Sequence, residues 1–229
     1  MTASSKGREP AQRARGRQPT FDRNEALETA LELFWRHGYE GVSISDLTTA
    51  IGIAPPSLYH AFGSKAELYR EVLRRYGSNG IRPEEITDAP SGHEAVRQVL
   101  ERGIAAVTTP GRPLGCMVSS GMLMTSAENV ELAAELRARR ASFREALERR
   151  IARDVEEGRL PATTDAAALA RFYVTVLQGL SVQAIDGATA AQLTAVMQAA
   201  LDAWPAPPPA SPREGEPEAL IPRVARRAT

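Results

Sequence analysis

VSISDLTTAIGIAPPSLYHAF, residues 42–62, is the stretch on which the fold turns. Its spacing predicts two short helices joined by a tight turn. Ser43 stands where an N-cap belongs, and Asp46 three residues on completes an S-x-x-D capping box. Leu47, Ala50 and Ile51 follow at i, i+3 and i+4, an apolar stripe over about two turns. Gly52 ends that helix, because glycine accepts the left-handed conformation a C-cap often needs. Ile53 then plugs the turn. Pro55 and Pro56 open the second helix, where the first N–H groups have no intrahelical partner to lose. Leu58 and Phe62 give it an inward face and leave Ser57, Tyr59, His60 and Ala61 pointing elsewhere. A short helix with small and polar groups near its N-terminus suits the major groove of DNA.

The flanks extend the pattern. Residues 21–37 predict a first helix, with Leu27, Ala30, Leu31 and Phe34 on one face and Gly38 as its stop. Tyr39 folds back on the core, Trp35 packs, and His37 is a charge-compatible end residue. Ser64 caps a fourth helix whose inward stripe is Leu68, Val72 and Tyr76. Lys65 in its first turn opposes the helix dipole, so a nearby phosphate would explain it.

Phe21, Gly38-Tyr39, Ser43, Asp46-Leu47, Gly52-Ile53, Ser57-Leu58-Tyr59, Phe62, Ser64-Lys65, Leu68 and Tyr76 fall in the order of a known pattern. The stretch resembles the DNA-binding domain of the TetR family of transcriptional regulators, over roughly the first third of the chain. The resemblance implies an all-α fold, a helix-turn-helix head on a helical body that dimerises and binds a ligand. It also implies that Tyr59 and Lys65 contact the DNA backbone. The bland alternative is a helical hairpin whose tyrosine and lysine merely face solvent.

The rest of the chain is read as helices. Residues 77–92 are rich in Gly, Pro and Ser and read as a loop between head and body. Val96, Val99, Leu100, Ile104 and Val107 mark the next helix, broken by the TPGRP of residues 109–113. Residues 114–126 read as a short apolar helix, buried in the body. Residues 128–157 form a long helix, with Val130, Leu132, Leu136, Phe143, Leu147 and Ile151 inward. Its Glu135/Arg139 and Glu145/Arg149 pairs sit at i, i+4, and its arginines read as a solvated face. Residues 165–186 and 189–204 carry more apolar surface than one core needs, Val174 and Val182 included, which predicts an interface with a second copy.

Composition bounds the function. With 28 basic and 28 acidic residues in 229, net charge is zero, and only charge distribution can point to nucleic acid. One cysteine excludes an internal disulfide and a Cys-based zinc site. His37, His60 and His93 are scattered, and no metal or cofactor is expected. No apolar run long enough for a membrane and no signal peptide are read, so a soluble cytoplasmic protein is expected.

Residues 1–20 carry Lys6, Arg8, Arg13, Arg15 and Arg17 against Glu9, and read equally as a solvated tail or a basic arm on DNA. Residues 205–229 read as a disordered Pro-rich tail. The organisation expected is therefore residues 1–20 arm, 21–77 head, 92–204 body and 205–229 tail.

The expected function is a repressor that binds a palindromic double-stranded operator as a homodimer and is released by a small-molecule effector. The DNA contacts expected are Arg15, Arg17, Ser43, Pro55, Pro56, Ser57, Tyr59, His60 and Lys65. Met117, Met122, Met124, Phe143, Phe172 and Tyr173 either line an effector cavity or fill the core. No catalytic residue is expected. The competing reading is a helical enzyme or thiol sensor using Cys116, against which stands a buried, inert cysteine among apolar neighbours. A further alternative is a ligandless interaction module.

Overall fold

The computed structural model describes residues 21–78 and 80–206, so Arg15, Arg17 and nearly all of the C-terminal tail lie outside the described residues. These form ten α-helices and no strand. Four build the head: α1 (Arg23–His37), α2 (Ile44–Ile51), α3 (Pro55–Phe62) and α4 (Lys65–Gly77). Six follow: α5 (Pro83–Thr87), α6 (Gly92–Val107), α7 (Met117–Ser120), α8 (Val130–Glu156), α9 (Ala166–Ile185) and α10 (Ala190–Asp202).

Local chemistry sets the head boundaries. The Asp22 carboxylate accepts the Asn24 and Glu25 N–H groups and starts α1. The Ser43–Asp46 capping box is fully formed, with the Asp46 N–H donating to Ser43 Oγ and the Ser43 N–H donating to Asp46 Oδ2. Gly52 ends α2 at φ 76°, a left-handed conformation costly for a residue with a Cβ, and donates its N–H to Thr48 O. Leu58 and Phe62 bury their side chains, as their spacing predicts, but Ala50 faces solvent, and Leu47 with Thr48 anchors α2 instead.

Two apolar clusters hold the molecule together. One centres on Phe34, Tyr39 and Tyr69, whose rings meet at 5.0–6.1 Å between centroids. It does not stop at the head: Met117, Met122, Leu132, Ala133 and Leu136 belong to it, so α7 and the start of α8 complete the head core. The other packs α5, α6, α8, α9 and α10 around Leu100, Leu147, Ile151 and Tyr173.

Several body expectations are corrected. Residues 77–92 contain α5, started by Pro83 and anchored by the buried Ile86, rather than plain loop. The apolar stretch 114–126 is not a helix beyond the single turn of α7. Arg140 Nη1 donates to Val118 O (2.8 Å) and Gly121 O (3.1 Å), carbonyls that a continuing helix would use itself. A Cβ on Gly121 would stand 2.1 Å from Met117 O, and Met122 takes φ 51°, a left-handed value rare for a non-glycine residue. The chain therefore turns outward, and Leu123 and Met124 are exposed.

The arginines of α8 are not simply solvated either. Arg139 donates to Leu73 O, Arg153 to Thr87 O, and Arg150 is buried against Asp154. Glu135 pairs with Arg70 of α4 rather than with Arg139, which ties head to body. Val130 is exposed, Val174 is buried within the protomer, and Val182 remains outside. Contrary to the expectation of no membrane-length apolar run, α9 is long and apolar enough to cross a membrane by length and composition. It is packed instead against α6, α8 and α10, with Ala170, Tyr173, Leu180 and Ala184 buried.

Candidate nucleic-acid interface and effector cleft

In α3, the second helix of the helix-turn-helix, the side chains left outward are those that its spacing predicts. Leu58 and Phe62 clamp α3 to the core, which leaves Pro55, Pro56, Ser57, Tyr59 and His60 all exposed. Its N-terminus has no N–H to offer a phosphate. Pro55 and Pro56 lack one, and the Ser57 and Leu58 N–H groups both donate to Ala54 O. Any contact made by α3 must come from side chains: the Ser57 hydroxyl, the Tyr59 phenol, the His60 imidazole and the apolar proline rings.

Ser43 and Lys65 flank this helix, and both already have partners. The Ser43 hydroxyl donates to Asp46 Oδ2 (2.7 Å) and accepts from the Asp46 N–H (3.1 Å). It can reach a phosphate only by giving up its bond to that carboxylate. Lys65 lies with Nζ 4.2 Å from the centre of the Tyr39 ring, a cation–π contact. That contact gives the lysine a reason to stand at a helix N-terminus without DNA. Burial lowers the Lys65 pKa from its ordinary value, and Glu40, Glu128 and Asp46 oppose the shift.

A second site opens where head meets body. A half-open cleft of about 620 Å³, within the range of small-molecule sites, lies between α1 and α4 on one side and α6, α8 and α9 on the other. Its apolar wall is Leu31, Trp35, Val99, Val107, Phe143 and Leu177. Of the residues expected to line an effector cavity, only Phe143 lines this cleft. Met117 and Met122 are spent in the head core, and Met124 is exposed. Phe172 faces outward, and Tyr173 is buried with its hydroxyl donating to Ala200 O (2.9 Å). Helical spacing identified these as apolar faces, but which face meets which is decided by packing.

Trp35 and Tyr76, read as packing, and Cys116, read as a buried inert thiol, turn out to shape the cleft. Trp35 lines it, donates Nε1–H to Gly115 O (3.0 Å) and meets Tyr76 edge-on. Cys116 also lines it and is half-buried rather than enclosed, its N–H donating to Ser181 Oγ (2.8 Å). Burial, and then the neighbouring Cys116 thiol, raise the pKa of the Tyr76 hydroxyl. Glu28 and Arg75, one from each head helix, pair across the cleft wall at 2.6 Å.

One contact set joins the segment after α7 to the head. The Glu40 carboxylate accepts from Thr125 Oγ1 (2.7 Å), the Ser126 N–H (2.9 Å) and Asn129 Nδ2 (3.0 Å). The Thr125 hydroxyl, and after it the Ser126 N–H, hold the Glu40 pKa down at about 2. Cys116 at the cleft and residues 125–129 at Glu40 thus belong to one stretch of chain, with Met117 and Met122 in the head core between them. No cluster of three or more metal-ligating side chains occurs among the described residues.

Residues 26–72 match the family described as bacterial regulatory proteins, tetR family, and residues 92–203 match a tetracyclin repressor-like C-terminal domain. The HTH-type transcriptional repressor ComR of Escherichia coli K12 is 32% identical over 205 residues, which cover 84% of this chain and 93% of that one. The HTH-type transcriptional repressor BdcR of the same organism is 33% identical over 187 residues, covering 80% and 89%. Among solved structures, a cysteine-substituted TetR family regulator, CifR, bound to a 26 bp operator, is 43% identical with a TM-score of 0.76. That match covers 83% of this chain and all of the other. An exposed α3 on a capped helix-turn-helix, and a body matched almost end to end, make this chain a member of the TetR family of bacterial transcriptional regulators.

Proposed function

We propose that the protein is a cytoplasmic, homodimeric repressor that binds a palindromic operator and leaves it when a small molecule enters the head–body cleft. Residues 21–77 act as the reading head and residues 92–204 as the body. The observation that carries the reading is that one molecule holds both an α3 with its whole outer face free and a cleft walled by the head's own α1 and α4. A ligand in that cleft touches the element that positions α3. It favours whichever head arrangement it binds better, and operator binding must weaken ligand binding by the same factor.

In this reading Pro55, Pro56, Ser57, Tyr59 and His60 meet bases and backbone in the major groove, Ser43 and Lys65 hold phosphates, and Arg15 and Arg17 add contacts from the arm. Support for the second copy comes from Phe172, Val182, Ile185 and Val196, all exposed on α9 and α10. Two-fold symmetry then asks for half-sites about one or more helical turns apart, ~34–36 Å per turn. Selection from a random DNA pool is the test. Enrichment of a palindrome supports the reading, and recovery of unrelated sequences with equal affinity refutes it.

The exposure of Cys116 to the cleft favours a second reading, in which the thiol itself is the sensor and no catalysis is involved. Treatment with iodoacetamide separates the two. Loss of operator binding in wild type but not in Cys116→Ser marks a thiol sensor, whereas equal behaviour of both leaves the cleft ligand as the signal.

A further inference from the structure

Charge around the cleft distinguishes among the ligands it can take. Four charged side chains line it: Glu28, Arg75, Arg102 and Arg112. The one carboxylate, Glu28, is engaged by Arg75 at 2.6 Å. Arg102 gives Nη1 to Glu85 Oε2 (2.8 Å) on α5 and Nη2 to Gly80 O (3.4 Å). Arg112, on the loop between α6 and α7, makes no side-chain hydrogen bond or ion pair among the described residues. A cationic ligand would find no unengaged carboxylate in this wall. A neutral one would leave Arg112 unused. An anion beside the apolar surface of Leu31, Trp35, Val99, Val107, Phe143 and Leu177 gains both hydrophobic burial and a guanidinium partner.

We propose that the ligand of the cleft is an anionic amphiphile, with an apolar chain or ring system against Trp35, Phe143 and Leu177 and a carboxylate or similar anion held by Arg112. The proposal rests on reading the cleft as the effector site, and adds the chemical class of the effector. Arginine suits the role because its planar fork meets a carboxylate through two parallel N–H donors. Exposure of Arg112 lets the anion keep part of its hydration, which limits the desolvation cost.

Three probes of matched chain length test it on the full chain: decanoate, decanol and decyltrimethylammonium, each titrated by calorimetry. Decanoate is expected to bind about threefold to fivefold more tightly than decanol, the worth of a pair with an exposed arginine. Decyltrimethylammonium should bind weakest. Arg112→Gln should bring decanoate to the level of decanol without changing decanol binding, and Arg112→Lys should restore most of the preference. Equal affinity of decanoate and decanol on wild type, preference for the cation, retention of the anion preference in Arg112→Gln, or no binding by any probe would each overturn the assignment.

Anisotropy of the selected operator separates this failure from failure of the effector reading. Equal release of DNA by decanol and decanoate would keep the effector cleft and remove the anion. Arg112-dependent decanoate binding with unchanged operator affinity would keep the anion and remove the effector role.

Discussion

Asp154→Ala should be among the most damaging single changes in the body, although nothing in the sequence singles it out. Arg150 and Asp154 are 1% and 2% exposed and pair at 2.7 Å one turn apart on α8. Arg150 also donates Nε–H to Ala89 O (2.8 Å) and Nη2–H to Pro90 O (2.9 Å). Asp154 accepts the Gly92 N–H (2.6 Å) at the start of α6 and Arg159 Nε–H (2.8 Å). The pair thereby pins α8 to the α5–α6 connection. Burial lowers the Arg150 pKa, and the adjacent Asp154 charge works against that. Without Asp154 the guanidinium keeps its desolvation cost, loses its counter-charge and is left beside Arg153 and Arg159, while the buried Gly92 N–H loses its acceptor. Removing one partner of a buried pair costs about 3–5 kcal/mol. At roughly 2–4 °C per kcal/mol for a chain of this size, the melting temperature falls by about 6–20 °C. Urea unfolding of the wild type, Asp154→Ala, Arg150→Met and the double variant gives the measurement. The double variant should lose clearly less than the sum of the singles, because it no longer strands a charge. A cost below about 1 kcal/mol for Asp154→Ala, or additivity of the two changes, would refute the reasoning.

Glu40 is a carboxylate whose folded pKa is depressed to about 2, so its stabilisation is complete above its unfolded value and is lost as pH falls toward 2. Glu40 is solvent-exposed, so its carboxylate is worth about 1 kcal/mol near neutral pH, and the gap between wild type and Glu40→Gln should narrow from about pH 5 to about pH 3. A pH-independent gap in the urea midpoint would contradict that assignment. Lys65→Ala should make the salt slope of operator binding shallower by about one unit, and an unchanged slope would leave Lys65 only its Tyr39 ring contact. Val182→Glu, on the exposed side of α9, should yield folded monomers by sedimentation, while Val174→Glu, buried within the protomer, should unfold the body instead. A Val182→Glu protein that stays dimeric would move the interface elsewhere.

The head was legible because its information is local. Ser43 finds Asp46 three residues away, Gly52 stops its own helix, and Leu58 and Phe62 share one face of eight residues, so spacing alone predicts the turn and the exposed side of α3. Capping likewise predicted α4 from Ser64, and a formed box between Thr189 and Gln192 starts α10. What the sequence could not settle is where surfaces separated by many residues meet. Met122 and Phe143 look alike as apolar residues at helical spacing, yet one completes the head core and the other lines the cleft. Residues 114–126 are apolar enough for a buried helix, but Arg140, some twenty residues on, takes the carbonyls that would have continued it. Arg150, read as one more solvated arginine, is buried because Asp154 and two distant carbonyls receive it. The cleft has no sequence signature, since α1, α4, α6, α8 and α9 each give it only one to several residues. Backbone hydrogen bonding and capping act within a few residues and so are written along the chain, whereas a cavity and a buried ion pair exist only once distant side chains compete for the same space.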